Sequence, residues 1–414
     1  MVMRISSKAI FDSGVTQLSR LQTSLAKTQN QLSSGLRVLT PADDPIASAR
    51  ALEVTQSQSM NAQFQTNRDN ARSSLSQVDQ ALGSGTSLLQ DIKTLIVNAG
   101  NGSLSQTDRE ALATELDGRL ADLMGVANTA DGAGGYLFAG YRSSTLPFTP
   151  TASGAAYQGD SGQRELQVGS SRQLPISASG ASIFENNVTG NGTFQTAADP
   201  ANYGRGGTGV ISPGSVKDAS QLTGHQYSIA FTVTPATPGT PATYAYSVTD
   251  VTTGNLVTPT PVPYKEGESI AFDGMQMSVS GAPANGDVFT VDPSQNQSIF
   301  KTVKDLIGAL RAGGSGPAGQ AQLTNALNIA NSNVDSATDN MLSVRATVGA
   351  NLKELDYLDS SGDDLKLQYA TTLSNLTEVD PVVAISQFTQ QQINLEAAQK
   401  SYKEITSLSL FNFI

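Results

Sequence analysis

FDSGVTQLSRLQTSLAKTQNQLSSGLRVLTPADDPIAS, residues 11–48, decides the fold of this 414-residue chain. Phe11, Leu18, Leu25 and Leu32 recur in it every seven residues, and Val15, Gln22, Gln29 and Leu36 follow them four positions on. That is the repeat of a helix offering one narrow seam to a partner helix. The partner is written at the other end of the chain. In FTQQQINLEAAQKSY, residues 388–402, Phe388, Leu395 and Tyr402 keep the same period with Gln392 and Gln399 between them. The glutamines stand where a globular helix would widen its apolar face, so one such pair buries little and gains stability from further neighbours. All of these residues except Leu36 make up the expected assembly seam.

Working inward, Pro45 to about Ala99 carries apolar residues at mixed three and four spacing, the pattern of one long amphipathic helix or two in line. Asn101-Gly102 breaks it, and Thr107 with Glu110 reads as a capping box before a helix that returns to about Ala130. Ile299 to Leu310 starts another helix, and Leu323 to Leu355 makes a long one after a GGSGPAG loop. Asp363-Asp364 after Gly362 reads as one more helix start, with negative charge at the positive dipole end.

Between these halves the period changes to two. Tyr227, Ile229, Phe231 and Val233 alternate, as do Tyr244, Tyr246 and Val248, which predicts half-buried strands. Asp273-Gly274 sits between Ile270, Phe272 and Met275, Met277, Val279, the two-residue signal of a type I′ hairpin. The Gly-, Asn- and Thr-rich stretch 182–215 reads as exposed loop. The expected fold is therefore mainly α with a β insertion: a long antiparallel helical rod, a terminal coiled coil and a central β-rich domain. Residues 1–42 with 379–414 form the coiled-coil polymerisation domain, 43–145 with 297–378 the rod, and 146–296 a surface-exposed insertion with its own core.

Composition narrows the function. A net charge of −11 and no Lys/Arg run give no cationic footprint for nucleic acid or an anionic membrane surface. No stretch approaches the roughly 18–20 apolar residues of a spanning helix. The start, MVMRISSKAIFDSG, lacks the apolar core and small-residue cleavage site of a secretory signal. There is no Cys and no Trp, which removes thiol chemistry and suits extended helices better than one large core.

Chemistry finds no foothold, so neither catalysis nor a cofactor nor a metal is expected. Gly204, Gly206 and Gly209 fit G-x-G-x-x-G, but no apolar strand precedes them and Pro213-Gly214 follows instead of a helix. The one histidine, His225, has no HExxH, second His or Cys around it and reads as a strand-end residue. There is no G-x-S-x-G and no Walker A sequence. Asp43 and Asp44 could be imagined as a metal or acid/base pair. Asp44 as N-cap with Pro45 at the first helical position accounts for them without chemistry.

The stretch from Arg4 to Val54, with Arg4-Ile5-Ser6 near its start and the turn Thr40-Pro41-Ala42-Asp43-Asp44-Pro45, resembles the N-terminus of the flagellin-like superfamily and, more closely, its hook-filament junction branch. LSQTDREALATEL (104–116), GGYLFAGYRSSTLPF (134–148), RATVGANLKELD (345–356) and the ending ISQFTQQQINLEAAQKSYKEITSLSLFNFI (385–414) are similar to the same family. Filament flagellins usually open with Asn-Thr-Asn and close on Leu-Leu followed by Arg or Gly. This chain does neither, and its GDVFTVDPS (286–294) looks like an element of hook-associated proteins.

The resemblance implies a structural subunit of the bacterial flagellum, made in the cytoplasm without a cleaved signal peptide and exported by the flagellar type III system under a cytosolic export chaperone. It implies a ring of about eleven copies between hook-associated protein 1 on the hook side and flagellin on the filament side, with the insertion facing outward. Three other readings stand beside it: a filament flagellin, an exported adhesin on a flagellin-like scaffold, and a flagellin-like carrier with a catalytic insert. Cellular abundance separates flagellin from junction, and the absence of any acid/base pair or activated nucleophile weighs against the last.

Overall fold

The computed structural model describes residues 7–407 apart from 240, so Arg4-Ile5-Ser6 and the ending 408–414 lie outside the described residues. Seven α-helices lie within that range: α1 Ser7–Ser34, α2 Pro45–Ala99, α3 Gln106–Ala127, α4 Ala201–Arg205, α5 Ile299–Ala312, α6 Gly316–Thr377 and α7 Pro381–Ser407. Fifteen short strands occupy the middle. The first eight are β1 Phe148–Thr151, β2 Gly154–Tyr157, β3 Glu165–Gly169, β4 Arg172–Pro175, β5 Asn187–Val188, β6 Phe194–Ala198, β7 Val210–Ile211 and β8 Ser215–Val216. The others are β9 Tyr227–Thr234, β10 Thr243–Asp250, β11 Val262–Pro263, β12 Ser269–Phe272, β13 Met275–Ser280, β14 Val288–Pro293 and β15 Asn296–Gln297. The expected class, mainly α with a central β-rich region, is the one observed.

Two compact units divide the chain, residues 1–66 with 357–414 and residues 67–356. The expected limits at 42/43 and 378/379 fall instead on the turns that join α1 to α2 and α6 to α7.

In the first unit α1 pairs with α7, and the start of α2 lies along the end of α6. The helix start expected at Asp363-Asp364 does not exist, because α6 runs unbroken from Gly316 to Thr377. Gly362 is buried, and its carbonyl accepts a 2.7 Å bond from Asn61 Nδ2 on α2. The glycine marks a close helix approach and not an end.

In the second unit the periodic apolar residues of α2, α3, α5 and α6 bury as the sequence predicts: Leu82, Leu89, Ile92, Leu116, Leu123, Val303, Leu310 and Val334 are at most barely exposed. The cap of α3 lies two residues ahead of the expected Thr107/Glu110 pair. Asp108 N–H donates to Ser105 Oγ at 3.2 Å and Ser105 N–H donates to the Asp108 carboxylate at 2.9 Å, a reciprocal capping box.

The stretch 146–296 does not share one core. Its leading segment, β1–β4 and the π-turn Ala181–Glu185, packs with the helices. Phe148 and Phe184 lie with their ring centroids 5.0 and 5.8 Å from Phe300 of α5, and Asn67 Nδ2 on α2 donates to the carbonyl of Gln167 in β3. The remainder closes on itself. A five-stranded sheet in the order β11-β10-β9-β14-β6 faces a four-stranded one built on β12-β13-β7 with β8, and Tyr227, Ile229, Phe231, Val248, Met277 and Phe289 fill the space between. The alternation read in β9 is the one observed, with Tyr227, Ile229 and Phe231 inward. At Asp273-Gly274 both residues have positive φ, 43° and 76°, and Phe272 pairs with Met275, which is the expected I′ hairpin.

The stretch 182–215, expected as loop, carries β5, β6, α4 and β7 and buries Ile183, Phe184, Phe194 and Ile211. Its glycines, asparagines and threonines serve turns between strands too short to show a period. Gly204, Gly206 and Gly209 form no phosphate loop: Gly206 ends α4 in the left-handed region at φ 79°, and a strand follows.

Candidate assembly site in the terminal helices

α1 and α7 run antiparallel, and the residues turned toward each other follow a strict three-four alternation. On α1 these are Gly14, Leu18, Leu21, Leu25, Thr28 and Leu32, each buried or half-buried. On α7 they are Ala384, Phe388, Gln391, Leu395, Ala398 and Tyr402. Two contacts fix the register. A Cβ on Gly14 would stand 2.7 Å from the Tyr402 ring, and Gln391 Nε2 donates to Ser24 Oγ at 3.0 Å. Carrying that register along the pair sets Tyr402 against Gly14, Ala398 against Leu18, Leu395 against Leu21, Phe388 against Thr28 and Ala384 against Leu32. Large meets small at most levels, which is how two helices interdigitate without voids.

Six of the expected seam residues, Leu18, Leu25, Leu32, Phe388, Leu395 and Tyr402, stand on this face. Phe11 is 50% exposed yet lies with its ring centroid 5.6 Å from that of Tyr402 at the edge of the pair. Val15, Gln22, Gln29, Gln392 and Gln399 are exposed, so the second row of the seam is corrected: it falls three residues after the first, at Gly14, Leu21 and Thr28, and not four. With 3.6 residues per turn, either offset completes a heptad, and only the apolar Leu21 beside the polar Gln22 distinguishes them. The exposed glutamines therefore do not narrow the contact between the two helices. One glutamine does sit inside it. The Oε1 of Gln391 is buried without a hydrogen-bond partner among the described residues, a polar position that costs stability and specifies alignment.

A polar node ties the ends of this pair to the rest of the first unit. Gly35, with φ 73°, ends α1 and its carbonyl accepts from Val379 N–H at 2.9 Å, while Arg37 donates from its backbone to the Thr377 carbonyl and from Nη2 to that of Leu376, both at 2.7 Å. Asp44 accepts from Ala47 N–H at 3.0 Å, the expected N-cap of α2, and from Arg37 Nη1 at 3.1 Å. Asp43 holds Lys27 Nζ at 2.6 Å and the backbone N–H of Thr40 at 2.9 Å. The Lys27 bond first, and the Thr40 N–H after it, hold the Asp43 carboxyl down at about 2. The acid pair is thus structural, each carboxylate serving a different turn. Sequence reading missed Arg37, Lys27, Ser24 and Gln391, since their partners lie hundreds of residues away or in a neighbouring turn.

The first unit has almost no closed core. Its buried apolar residues among those described are Ala47, Ala51 and Ala384, whereas Ile46, Leu52, Leu367, Val382, Ile385 and Ile393 are all more than half exposed. Val382, at 77%, opens α7 beside its N-cap Asp380.

In the second unit α6 carries a row of asparagines that the sequence reading passed over. Asn325 donates to the Gly209 carbonyl and accepts from Ile211 N–H, both at 3.0 Å, Asn333 accepts from Gly190 N–H at 2.8 Å, and Asn340 donates to Ser182 O at 2.8 Å and Asn187 Oδ1 at 2.9 Å. These bonds fasten the self-contained β region, and at Ser182 the segment just before it, to the helix. His225 pairs through Nδ1 with Asp250 Oδ2 at 2.8 Å across the β9–β10 ladder. No group of three or more His, Cys, Asp or Glu among the described residues could hold a metal ion, and no described helix is long and apolar enough to cross a membrane.

Comparison with known proteins agrees with this architecture. Residues 5–143 match the bacterial flagellin N-terminal helical region, and residues 201–293 match the D2-like domain of flagellar hook-associated protein 1. The chain is 29% identical over 409 residues, 99% of each chain, to flagellar hook-associated protein 3 of Salmonella typhimurium. Among solved structures it resembles the flagellar junction protein FlgL of Legionella pneumophila at 31% identity and a TM-score of 0.71, covering 80% of this chain and all of that one. FlgL of Xanthomonas campestris is similar at 31% identity and a TM-score of 0.69, covering 78% of this chain and 99% of that one.

Proposed function

We propose, from a chain that belongs to the family of the flagellar junction protein, hook-associated protein 3, that it is a structural component of the hook-filament junction and not an enzyme. Its place is the bacterial flagellum, and its neighbours are other hook and filament components: hook-associated protein 1 on the hook side and flagellin on the filament side.

The observation that carries this reading is the open first unit. A unit whose buried apolar residues among those described are Ala47, Ala51 and Ala384, with isoleucines, leucines and valines turned to solvent, gains its missing burial from neighbours. Lateral packing of copies supplies it, and the closed ring of about eleven follows if the rotation between copies closes. The seam residues Leu18, Leu25, Leu32, Phe388, Leu395 and Tyr402 hold each pair together, while Phe11, Val15 and the outward glutamines Gln22, Gln29, Gln392 and Gln399 face the neighbours. Coiled-coil ends, a helical middle and an outward β region are the three functional layers of the subunit. Export in the unfolded state through the flagellar type III apparatus, with a cytosolic chaperone over the C-terminal helix, supplies the copies.

A strain lacking this chain tests the reading. Hooks without filaments, and monomeric flagellin in the medium, are the expected outcome; filaments of normal length would overturn it.

A further inference from the structure

Three Asn-Gly dipeptides occur in the chain, Asn101-Gly102, Asn191-Gly192 and Asn285-Gly286. In such a pair the backbone nitrogen of the glycine can attack the asparagine carboxamide, because glycine alone leaves that nitrogen unhindered. The three sites differ in what the fold does with the two reacting groups.

At Asn285 the carboxamide is polarised but the glycine nitrogen is held. Gly286 N–H donates to the Phe231 carbonyl at 2.9 Å, and the asparagine Oδ1 accepts from Val233 N–H at 3.0 Å. At Asn191 the nitrogen of Gly192 donates to the Thr189 carbonyl at 3.2 Å, while Oδ1 takes the N–H groups of Thr193 and Phe194 at 3.0 Å each. An amide held in a hydrogen bond gives up its proton slowly, and the deprotonated nitrogen is the nucleophile.

Asn101 is different. It and Gly102 are exposed in the turn between α2 and α3, and the Gly102 N–H is in no hydrogen bond to the described residues. The carboxamide oxygen meanwhile accepts from Ser103 N–H at 3.1 Å and from Ser103 Oγ at 2.9 Å. Those two donors point at the atom on which negative charge develops when the carboxamide carbon becomes tetrahedral, the arrangement of an oxyanion hole in miniature. All three carboxamides are polarised, and at Asn101 alone of the three does that electrophile meet a glycine nitrogen in no hydrogen bond to the described residues.

We propose that Asn101 is the self-modifying residue of this chain, deamidating through Gly102 with Ser103 as activator. The deprotonated Gly102 nitrogen forms a bond to Asn101 Cγ, the Cγ–Nδ2 bond breaks, and Nδ2 leaves as ammonia with the proton taken from solvent. The resulting five-membered succinimide adds one water and opens to aspartate or isoaspartate. Each event adds one negative charge to the turn. The isoaspartate form also adds a carbon to the backbone where Leu104 N–H bonds the Asn101 carbonyl at 3.2 Å.

Peptide mapping by mass spectrometry on the folded chain, aged in mildly alkaline buffer, tests this. Expected is the mass gain of NH2 replaced by OH at Asn101 well before Asn191 or Asn285, with ammonia released in step and the rate rising with pH. Gly102→Ala should slow it about tenfold, since a Cβ restricts the approach. Ser103→Ala should slow it roughly threefold, less than a buried oxyanion donor is worth, because water competes in the turn. Equal or faster conversion at Asn285 or Asn191 in the folded chain overturns the assignment. An unchanged or higher rate in Ser103→Ala overturns the activation.

Discussion

The terminal helix pair and the β region around β9 are built from similar proportions of apolar residues and spend them in opposite ways. Around β9, a pair of sheets stand face to face, and Tyr227, Phe231, Phe289 and Met277 vanish between them. In the helix pair only a three-four stripe turns inward, its widest members are Phe388 and Tyr402, and both lie against small residues of α1. A sheet can close a core within one chain segment because its whole face is apolar. Two helices share only a stripe each, so most of their apolar surface waits for other contacts. The β region should therefore behave as a self-sufficient body, and the helix pair as one half of an interface.

The sharpest break of this contrast is a charge in the seam. Leu25→Asp or Leu395→Asp is expected to abolish assembly, because an unpaired carboxylate between α1 and α7 costs about 3 kcal/mol. The second unit should keep its melting transition by circular dichroism. Loss of that transition as well would show that the helix pair carries more of the fold than its half-buried stripe suggests.

Carboxylates separate the regions by pH. Asp43, held by Lys27 and the Thr40 N–H, has a folded pKa of about 2, below the ordinary aspartate value of 3.8. A lowered folded value stabilises the fold above the unfolded pKa, and the contribution disappears as pH falls from there through 2. The Lys27–Asp43 pair should thus outlast most carboxylates on acidification. Asp287 in the β region is the reverse case. It is fully buried with Oδ1 unpartnered among the described residues, and burial raises its pKa, offset to a degree by the Ala284 N–H and by Arg205. A raised folded value stabilises below the unfolded pKa and is lost as pH rises through the folded one. Asp287→Asn is therefore expected to raise the melting temperature at neutral pH, with the difference closing below about pH 4. A variant less stable than the parent at neutral pH would show that the Arg205 attraction outweighs the burial.

The smallest expected effect comes from Gln391. Gln391→Leu removes a buried acceptor without a partner and should stabilise the helix pair by about 1 kcal/mol in thermal melts. It also removes the bond to Ser24, so cross-linking between α1 and α7 should report more than one register. A single register with unchanged stability would assign alignment to Gly14 and Tyr402 alone.

The heptads of Leu18, Leu25, Leu32 and Phe388, Leu395, Tyr402 were legible because seven-residue repeats of large apolar residues have no other common cause. Which row joined them was not, since the competing offsets differ by one residue and the deciding contact, Gly14 under Tyr402, lies across the chain. The asparagines of α6 were equally silent. An asparagine on a helix reads as solvent-facing until a loop such as 209–211 is seen to present its N–H and C=O to it.

By itself the sequence determined the class of this protein: helical halves around a β-rich centre, the strand alternation in β9, the Asp273-Gly274 hairpin, the Asp44 cap and the pairing of α1 with α7. These are local or strictly periodic signals, carried by residues a few positions apart. Only the tertiary structure decided that α6 passes straight through Gly362, that 146–186 belongs with the helices while 187–297 closes on its own core, and that the glutamines of the seam face outward. Each depends on which surfaces meet across long separations in the chain, where close packing selects one of several patterns that local propensity leaves equal.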